Sequence, residues 1–287
     1  MQINKKIRLF IELARLDKPI GIYLLLWPSL LGLLLGVIQS GSVDFKNYII
    51  VILGSVLVRS CGCVINDIND YKIDKLVART ANRPLAASLI SIFEAWVFFI
   101  ILGLSSIVLL IFTNALTIKI SIFFAIFIML YPLTKRFFLA PQLILGITFG
   151  SGCLISYSLQ SSVFTPSLAI LYLGIIAWII SFDTYYALED KEDDIKININ
   201  STAILWGKNA VMYAKILHLI FYGSLLHLAI LNKFSFYFLF IFLGLIFIYF
   251  YQSRLIKKSK FLKAFKINNW VGFICVLGFM FEIFLIN

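Results

Sequence analysis

Charged residues are scarce in this 287-residue sequence: Asp, Glu, Lys and Arg make up 14%, where soluble domains carry about 25%. The hydrophobic share is 61% and the mean hydropathy +0.98. A chain with so little polar surface cannot face water on all sides, which excludes an ordinary soluble domain and leaves the bilayer as its solvent. Acidic residues are the scarcer sign, 14 against 25 basic ones. The resulting net charge of +11 does not point to nucleic acid, because the basic residues sit between apolar runs, as in membrane topology. There are only two histidines, His218 and His227. Both lie within one apolar run away from the acidic residues, and neither is expected to be catalytic. The four cysteines, Cys61, Cys63, Cys153 and Cys275, include no CxxC pair, so they read as small buried residues. A cleavable leader is also missing from the pattern. Lys5, Lys6 and Arg8 are followed by Glu12, Arg15, Asp17 and Lys18 before any long apolar run, and the first span is expected to be retained.

What is present is apolar sequence in lengths that cross a membrane. A spanning helix needs about 20 apolar residues, and nine stretches qualify: 19–38, 46–66, 88–111, 115–133, 140–159, 166–187, 209–231, 234–252 and 269–286. The 46 residues between Arg136 and Asp183 carry no charge; Gln160 to Pro166 supplies the break between two spans there. The reading is a single all-α integral membrane domain over 1–287. The 16% of aromatic residues suits lipid-facing and interfacial positions. Only Lys46, Lys119 and Lys233 fall on the side of the odd-numbered loops, and the other 22 of the 25 basic residues lie on the opposite side. This asymmetry puts the N-terminus in the cytoplasm and the C-terminus outside.

Nine of the 14 acidic residues gather in two short segments at the cytoplasmic ends of spans two and six: Asp67, Asp70 and Asp74, then Asp183, Glu189, Asp190, Glu192, Asp193 and Asp194. In NDINDYKID, Asn66, Asp70 and Asp74 are spaced four apart, so a continuing helix stacks them on one face. In DTYYALEDKEDD, Tyr186, Asp190 and Asp194 repeat that spacing, with Asp183 near the same face. The recurrence four spans apart hints at an internal duplication. Carboxylates stacked this way repel one another and call for a cation. Mg²⁺ takes oxygen ligands and commonly binds through one or two carboxylates plus substrate phosphates. Lys72, Lys75, Arg79 and Arg83 after the first cluster, and Lys191 and Lys196 around the second, complete a phosphate-binding pattern. A solvated charged loop is the plainer alternative for one such cluster; two matched clusters on one face favour metal. Three further groups stay open. Tyr131 and Lys135, four apart at the end of span four, either reach the diphosphate or act as an interfacial anchor. Arg59, about 10 Å inside its helix end, either faces a polar cavity and an anionic group or snorkels to the headgroups. Glu94, early in span three, is a cavity or pair-forming group.

These motifs resemble those of the UbiA superfamily of intramembrane aromatic prenyltransferases, and within it the 4-hydroxybenzoate polyprenyltransferase branch. The resemblance is carried by RLDKPIGIYLLLWP at 15–28, RTANRPLA at 79–86, YPLTKRFFLAPQLILGITFG at 131–150, DTYYALEDKEDDIKININSTAILWG at 183–207 and KINNWVG at 266–272. It implies a bundle of nine transmembrane helices with a cytoplasm-facing active-site cavity and a lateral opening for a lipid tail. It further implies that Asn66, Asp70, Asp74, Asp190 and Asp194 bind Mg²⁺ and diphosphate. Tyr131, Lys135 and Arg136 would line the pocket near the reacting centre or bind substrate, and Arg59, Lys72, Arg79, Arg83, Asp183, Tyr186 and Lys196 join the candidate substrate-binding set. The implied substrates are a polyprenyl diphosphate and 4-hydroxybenzoate, the setting ubiquinone biosynthesis in a bacterial inner membrane, with no obligate protein partner. The sequence departs from the pattern at Tyr71, where relatives often carry a basic residue, and at Ala86-Ala87 after NRPL. Another acceptor, such as a naphthoate, homogentisate or haem, would use the same diphosphate machinery. A transporter would place ionisable groups near the midplane, whereas here they gather at one face.

Overall fold

The computed structural model describes residues 2–77, 79–134 and 136–286. Among them the chain forms helices and no strands: α1 (Gln2–Leu13), α2 (Ile20–Ser40), α3 (Phe45–Asp74), α4 (Ile92–Leu110), α5 (Ala115–Thr134), α6 (Pro141–Tyr157), α7 (Pro166–Lys196), α8 (Thr202–Leu205), α9 (Ala210–Leu231), α10 (Phe240–Lys257), α11 (Phe261–Lys266) and α12 (Asn268–Ile286). Eight helical stretches are long and apolar enough to cross a membrane. The stretch expected over 140–159 folds as α6, whose 17 residues give about 25 Å. It is shorter because the chain turns after Tyr157, where the Asn114 amide donates to the Ser158 carbonyl at 2.6 Å.

Local chemistry sets the other ends. The third span begins at Ile92 rather than 88 because Ser91 and Glu94 form a reciprocal capping box, satisfying two orphan backbone donors. Glu94 also pairs with Lys6 of α1, which answers what that acid does. Thr165 caps α7 through Leu168 N, with Pro166 in its first turn. The structure also carries α3 and α7 past the expected spans, to 30 and 31 residues. The polar motifs at their ends therefore remain helical, and the four-residue spacing acquires its geometric meaning.

The bundle has an inside and a lipid side. In their apolar windows α2 is 72% and α7 67% buried, while α4 is 6% buried. The main core packs Leu31, Leu34, Tyr157, Trp178, Phe182 and Phe221 around α2, α6, α7 and α9. Helices α2 and α6 approach closely at Gly32, where a Cβ would stand 2.0 Å from the Cys153 carbonyl oxygen; any side chain would force them apart. A second core, with Leu13, Val64, Ile68, Leu85 and Ala95, joins α1, α3, the 75–91 loop and α4. The four cysteines are free, three of them buried and Cys61 half-buried. His218 is buried between Ser181 and the Tyr222 hydroxyl, at 3.5 and 3.1 Å, a packing role inside the bundle.

Candidate active site

The long α3 and α7 bring their acidic ends together at one end of the bundle. On α3, Asp67, Asp70 and Asp74 are all buried, an unusual state for carboxylates unless they are paired. The pairing is with arginines that come from elsewhere in the chain. Arg15, in the α1–α2 junction, grips both oxygens of Asp67 at 2.9 and 2.7 Å. It does so from a left-handed backbone conformation, φ +58°, and its Nη1 also donates to the Glu12 carbonyl at 2.7 Å. Arg83, in the loop after α3, donates to Asp74 Oδ2 at 2.8 Å and to Asp67 Oδ1 at 3.2 Å. Arg136, after α5, donates to the Asn69 carbonyl at 2.9 Å and lies 3.6 Å from Asp70 Oδ1. Asn66 is half-buried one turn before Asp70.

Across the site, Arg79 holds Asp190 of α7 in a bidentate pair at 2.9 and 2.5 Å, the fork geometry that arginine favours with carboxylates. The guanidinium lies over the Tyr186 ring, 5.2 Å from its centroid. Burial alone would lower the Arg79 pKa, but Tyr186, Asp190 and Asp74 around it more than offset this and raise it. Arg79 follows the α3 motif in sequence and pairs with the α7 motif in space, so this residue ties the two clusters together. Asp194, one turn further along α7, is half-buried.

Deeper in the bundle, Asp183 is half-buried and lies near Gln142 of α6, whose side-chain oxygen accepts from Thr202 N at 2.8 Å. Arg59 and Tyr131 share the electrostatic neighbourhood of Asp183. Arg59 thus faces the interior, its guanidinium carbon 5.4 Å from the Phe149 ring centroid and its Nε buried without a hydrogen-bond partner. Lys135 lies outside the described residues. Two sequence candidates stand apart from the centre: Lys72 is exposed above the Tyr71 ring, 5.9 Å from its centroid, and Lys196 is exposed and paired with Asp193 at 3.2 Å.

Whether a divalent cation suits this place depends on the donors. Asn66, Asp70, Asp74, Asp190 and Asp194 offer oxygen only, the donor type that hard cations such as Mg²⁺ select. Among the described residues no three His, Cys, Asp or Glu side chains already form a metal cluster. Instead, guanidinium groups neutralise the carboxylates. The donor set therefore fits a hard cation, provided arginines and cation can exchange partners.

Arg15 and Gln142 were not among the expected site residues, and Asp67 was expected only as one of the acidic cluster. The four-residue stripe passes over Asp67, and Arg15 lies 52 positions from its partner. The usable signal for Arg15 was a basic residue next to a span start, which topology alone explains as well.

Set against known proteins, the sequence matches the model of the UbiA prenyltransferase family over residues 25–280. It is 39% identical to the 4-hydroxybenzoate octaprenyltransferase of Nitrosomonas europaea over 285 residues, 98% of this chain and 97% of that protein. It is 38% identical to the enzyme of the same name from Saccharophagus degradans, over 97% of this chain and 93% of that one. Among solved structures, the UbiA homolog from Aeropyrum pernix K1 superposes with a TM-score of 0.78 at 20% identity, covering 90% of this chain and 97% of that one. The UbiA homolog from Archaeoglobus fulgidus bound to GPP and Mg²⁺ gives 0.67 at 17% identity, over 93% and 99%. At these identities the structural likeness is one of fold.

Proposed function

The chain belongs to the UbiA prenyltransferase family, and on that premise we propose that it transfers a polyprenyl group from its diphosphate to the ring carbon of 4-hydroxybenzoate ortho to the hydroxyl. The products are 3-polyprenyl-4-hydroxybenzoate and diphosphate, in ubiquinone biosynthesis. The observation that carries the reading is the meeting of two oxygen-donor clusters, from α3 and α7, joined by the Arg79–Asp190 pair. The acceptor follows the relatives that bear that activity's name. We count α6 as a ninth span beside the eight long apolar stretches, in one membrane domain over 1–287. The site faces the cytoplasm of a bacterial inner membrane, following the charge asymmetry of the loops.

In this mechanism Asn66, Asp70, Asp74, Asp190 and Asp194 would hold Mg²⁺, which would supply Lewis-acid stabilisation of the departing diphosphate. Arg79, Arg83 and Arg136 are paired with the same carboxylates, so they are within reach of diphosphate oxygens once those carboxylates turn to a cation. Lys72 and Lys196 add positive charge at the rim, where they attract the diphosphate rather than grip it. Tyr131, Asp183 and Tyr186 border the space between the diphosphate and Arg59, where Arg59 pairs with the acceptor's carboxylate; Lys135 joins the substrate-binding set by its sequence position alone, four residues after Tyr131. The bond between the allylic C1 and the diphosphate oxygen breaks, and the ring carbon ortho to the hydroxyl bonds to C1. The ring proton at that carbon then leaves to restore aromaticity. The apolar bundle around the site keeps water from the allylic cation.

The test is product identity. Purified protein in vesicles, given a polyprenyl diphosphate, Mg²⁺ and 4-hydroxybenzoate, should yield a phenol prenylated beside its hydroxyl, read by mass spectrometry and NMR. Prenylation only of a naphthoate or homogentisate in the same vesicles would keep the donor chemistry and discard the acceptor.

A further inference from the structure

We infer that Gly21 is a specificity-determining residue: it makes the seat in which Arg59 is held, and so selects acceptors that carry a carboxylate. The inference rests on the acceptor chemistry proposed above and goes beyond it in naming what positions the cation. Gly21 lies in the first turn of α2. A Cβ there would stand 2.5 Å from Arg59 Nε, 2.8 Å from Nη2 and 3.0 Å from Cζ. On α6, the Phe149 ring centroid lies 5.4 Å from the same guanidinium carbon. The planar group thus lies against a bare stretch of α2 backbone, with an aromatic ring of α6 at cation–π distance. Its Nε, the nitrogen closest to the Cβ position at Gly21, is buried with no hydrogen-bond partner.

A guanidinium so placed inside a membrane bundle is costly without an anion. The carboxylate in its electrostatic range is Asp183, yet Arg59 Nε has no hydrogen-bond partner among the described residues. A small anionic group entering beside Arg59 would supply the acceptor that Nε lacks, and its position would depend on where the guanidinium is seated. Any side chain at position 21 removes that seat. The atoms it would meet are the end of a long, flexible side chain, so Arg59 would move and the helices would stay in place.

The experiment compares 4-hydroxybenzoate with its neutral isostere 4-hydroxybenzamide, using the full-length protein in vesicles. In the wild type the acid should be preferred. Gly21→Ala should raise the KM for 4-hydroxybenzoate roughly tenfold or more, the scale of a misaligned charge-assisted hydrogen bond. The KM for the prenyl diphosphate should stay unchanged, and the preference for the acid over the amide should shrink. In an Arg59→Ala background Gly21→Ala should add no further loss, because it acts through Arg59. If Gly21→Ala fails to accumulate in membranes, Phe149→Leu, which removes the aromatic ring beside the guanidinium, should narrow the same preference. A wild type that prefers the acid, with neither variant moving the preference, overturns the role of Gly21 alone. A wild type that does not use 4-hydroxybenzoate overturns the acceptor reading and this inference with it.

Discussion

At the end of α3 the side chains of Asp67, Asp70 and Asp74 are 2%, 2% and 10% exposed; at the end of α7 those of Asp190 and Asp193 are 17% and 42% exposed. The two segments share a four-residue spacing and a helical conformation, on α3 and α7, yet one is enclosed and the other more open. The difference comes from what covers them. The α3 end is wrapped by the α1–α2 junction, which brings Arg15, and by the 75–91 loop, which brings Arg83 and packs Leu85 and Ile90 into the second core. The α7 end meets Arg79 and, on another side, α11, where Leu262 N donates to Glu189 at 3.0 Å and Leu188 packs near Phe261, but no loop closes over Asp190 and Asp193 to the same degree. Identical spacing therefore sets which carboxylates share a face, while the covering segments decide how much each one contributes to stability.

The comparison can be broken from either side. The largest effect is expected where both clusters have the same role: Asp70→Ala and Asp190→Ala should each lower turnover by roughly 10²–10³-fold, the scale of removing one preorganised charge-stabilising group, with the protein still in the membrane. Turnover within a few-fold of wild type for either would remove that cluster from the chemistry. Next, Arg83→Ala should separate the clusters by stability, because it leaves the buried Asp74 unpaired and Asp67 with one partner. Breaking a buried pair costs about 3–5 kcal/mol, visible as a lower melting temperature in detergent. Arg79→Ala removes a pair in which the arginine is 38% exposed. It should cost at most about 1 kcal/mol of stability while raising the KM for the prenyl diphosphate roughly tenfold. Equal melting shifts for Arg79→Ala and Arg83→Ala would contradict the contrast between the clusters. Smallest of all, Lys196→Ala, at an exposed pair with Asp193, should change stability by no more than about 0.5 kcal/mol.

Much of this molecule is legible in its sequence because lipid imposes a simple rule: a span needs an unbroken apolar run, and the runs are there. The acidic clusters are legible for a related reason, since a charge in so apolar a chain must have a use. Legibility fails where pairing is long-range. Nothing local shows that Arg15 belongs to Asp67, that Gln142 of α6 accepts from Thr202 beyond α7, or that Gly21 leaves room for Arg59, because each depends on how helices far apart in sequence pack. Glu94 is legible in part: it forms a pair, with Lys6 of α1, but its capping box with Ser91 is missed, because an acid near a membrane span draws attention to cavities before caps. The short α6 shows the same limit, since its end depends on Asn114 reaching Ser158 from the turn between α4 and α5.

The most direct test of the account is prenyl transfer in membranes containing this protein, with labelled 4-hydroxybenzoate, a polyprenyl diphosphate, and either Mg²⁺ or EDTA. The expected result is label moving into the lipid phase with Mg²⁺, stopping with EDTA and resuming when Mg²⁺ is restored. Label that stays in the aqueous phase with Mg²⁺ present, or transfer that persists undiminished in EDTA, would contradict it.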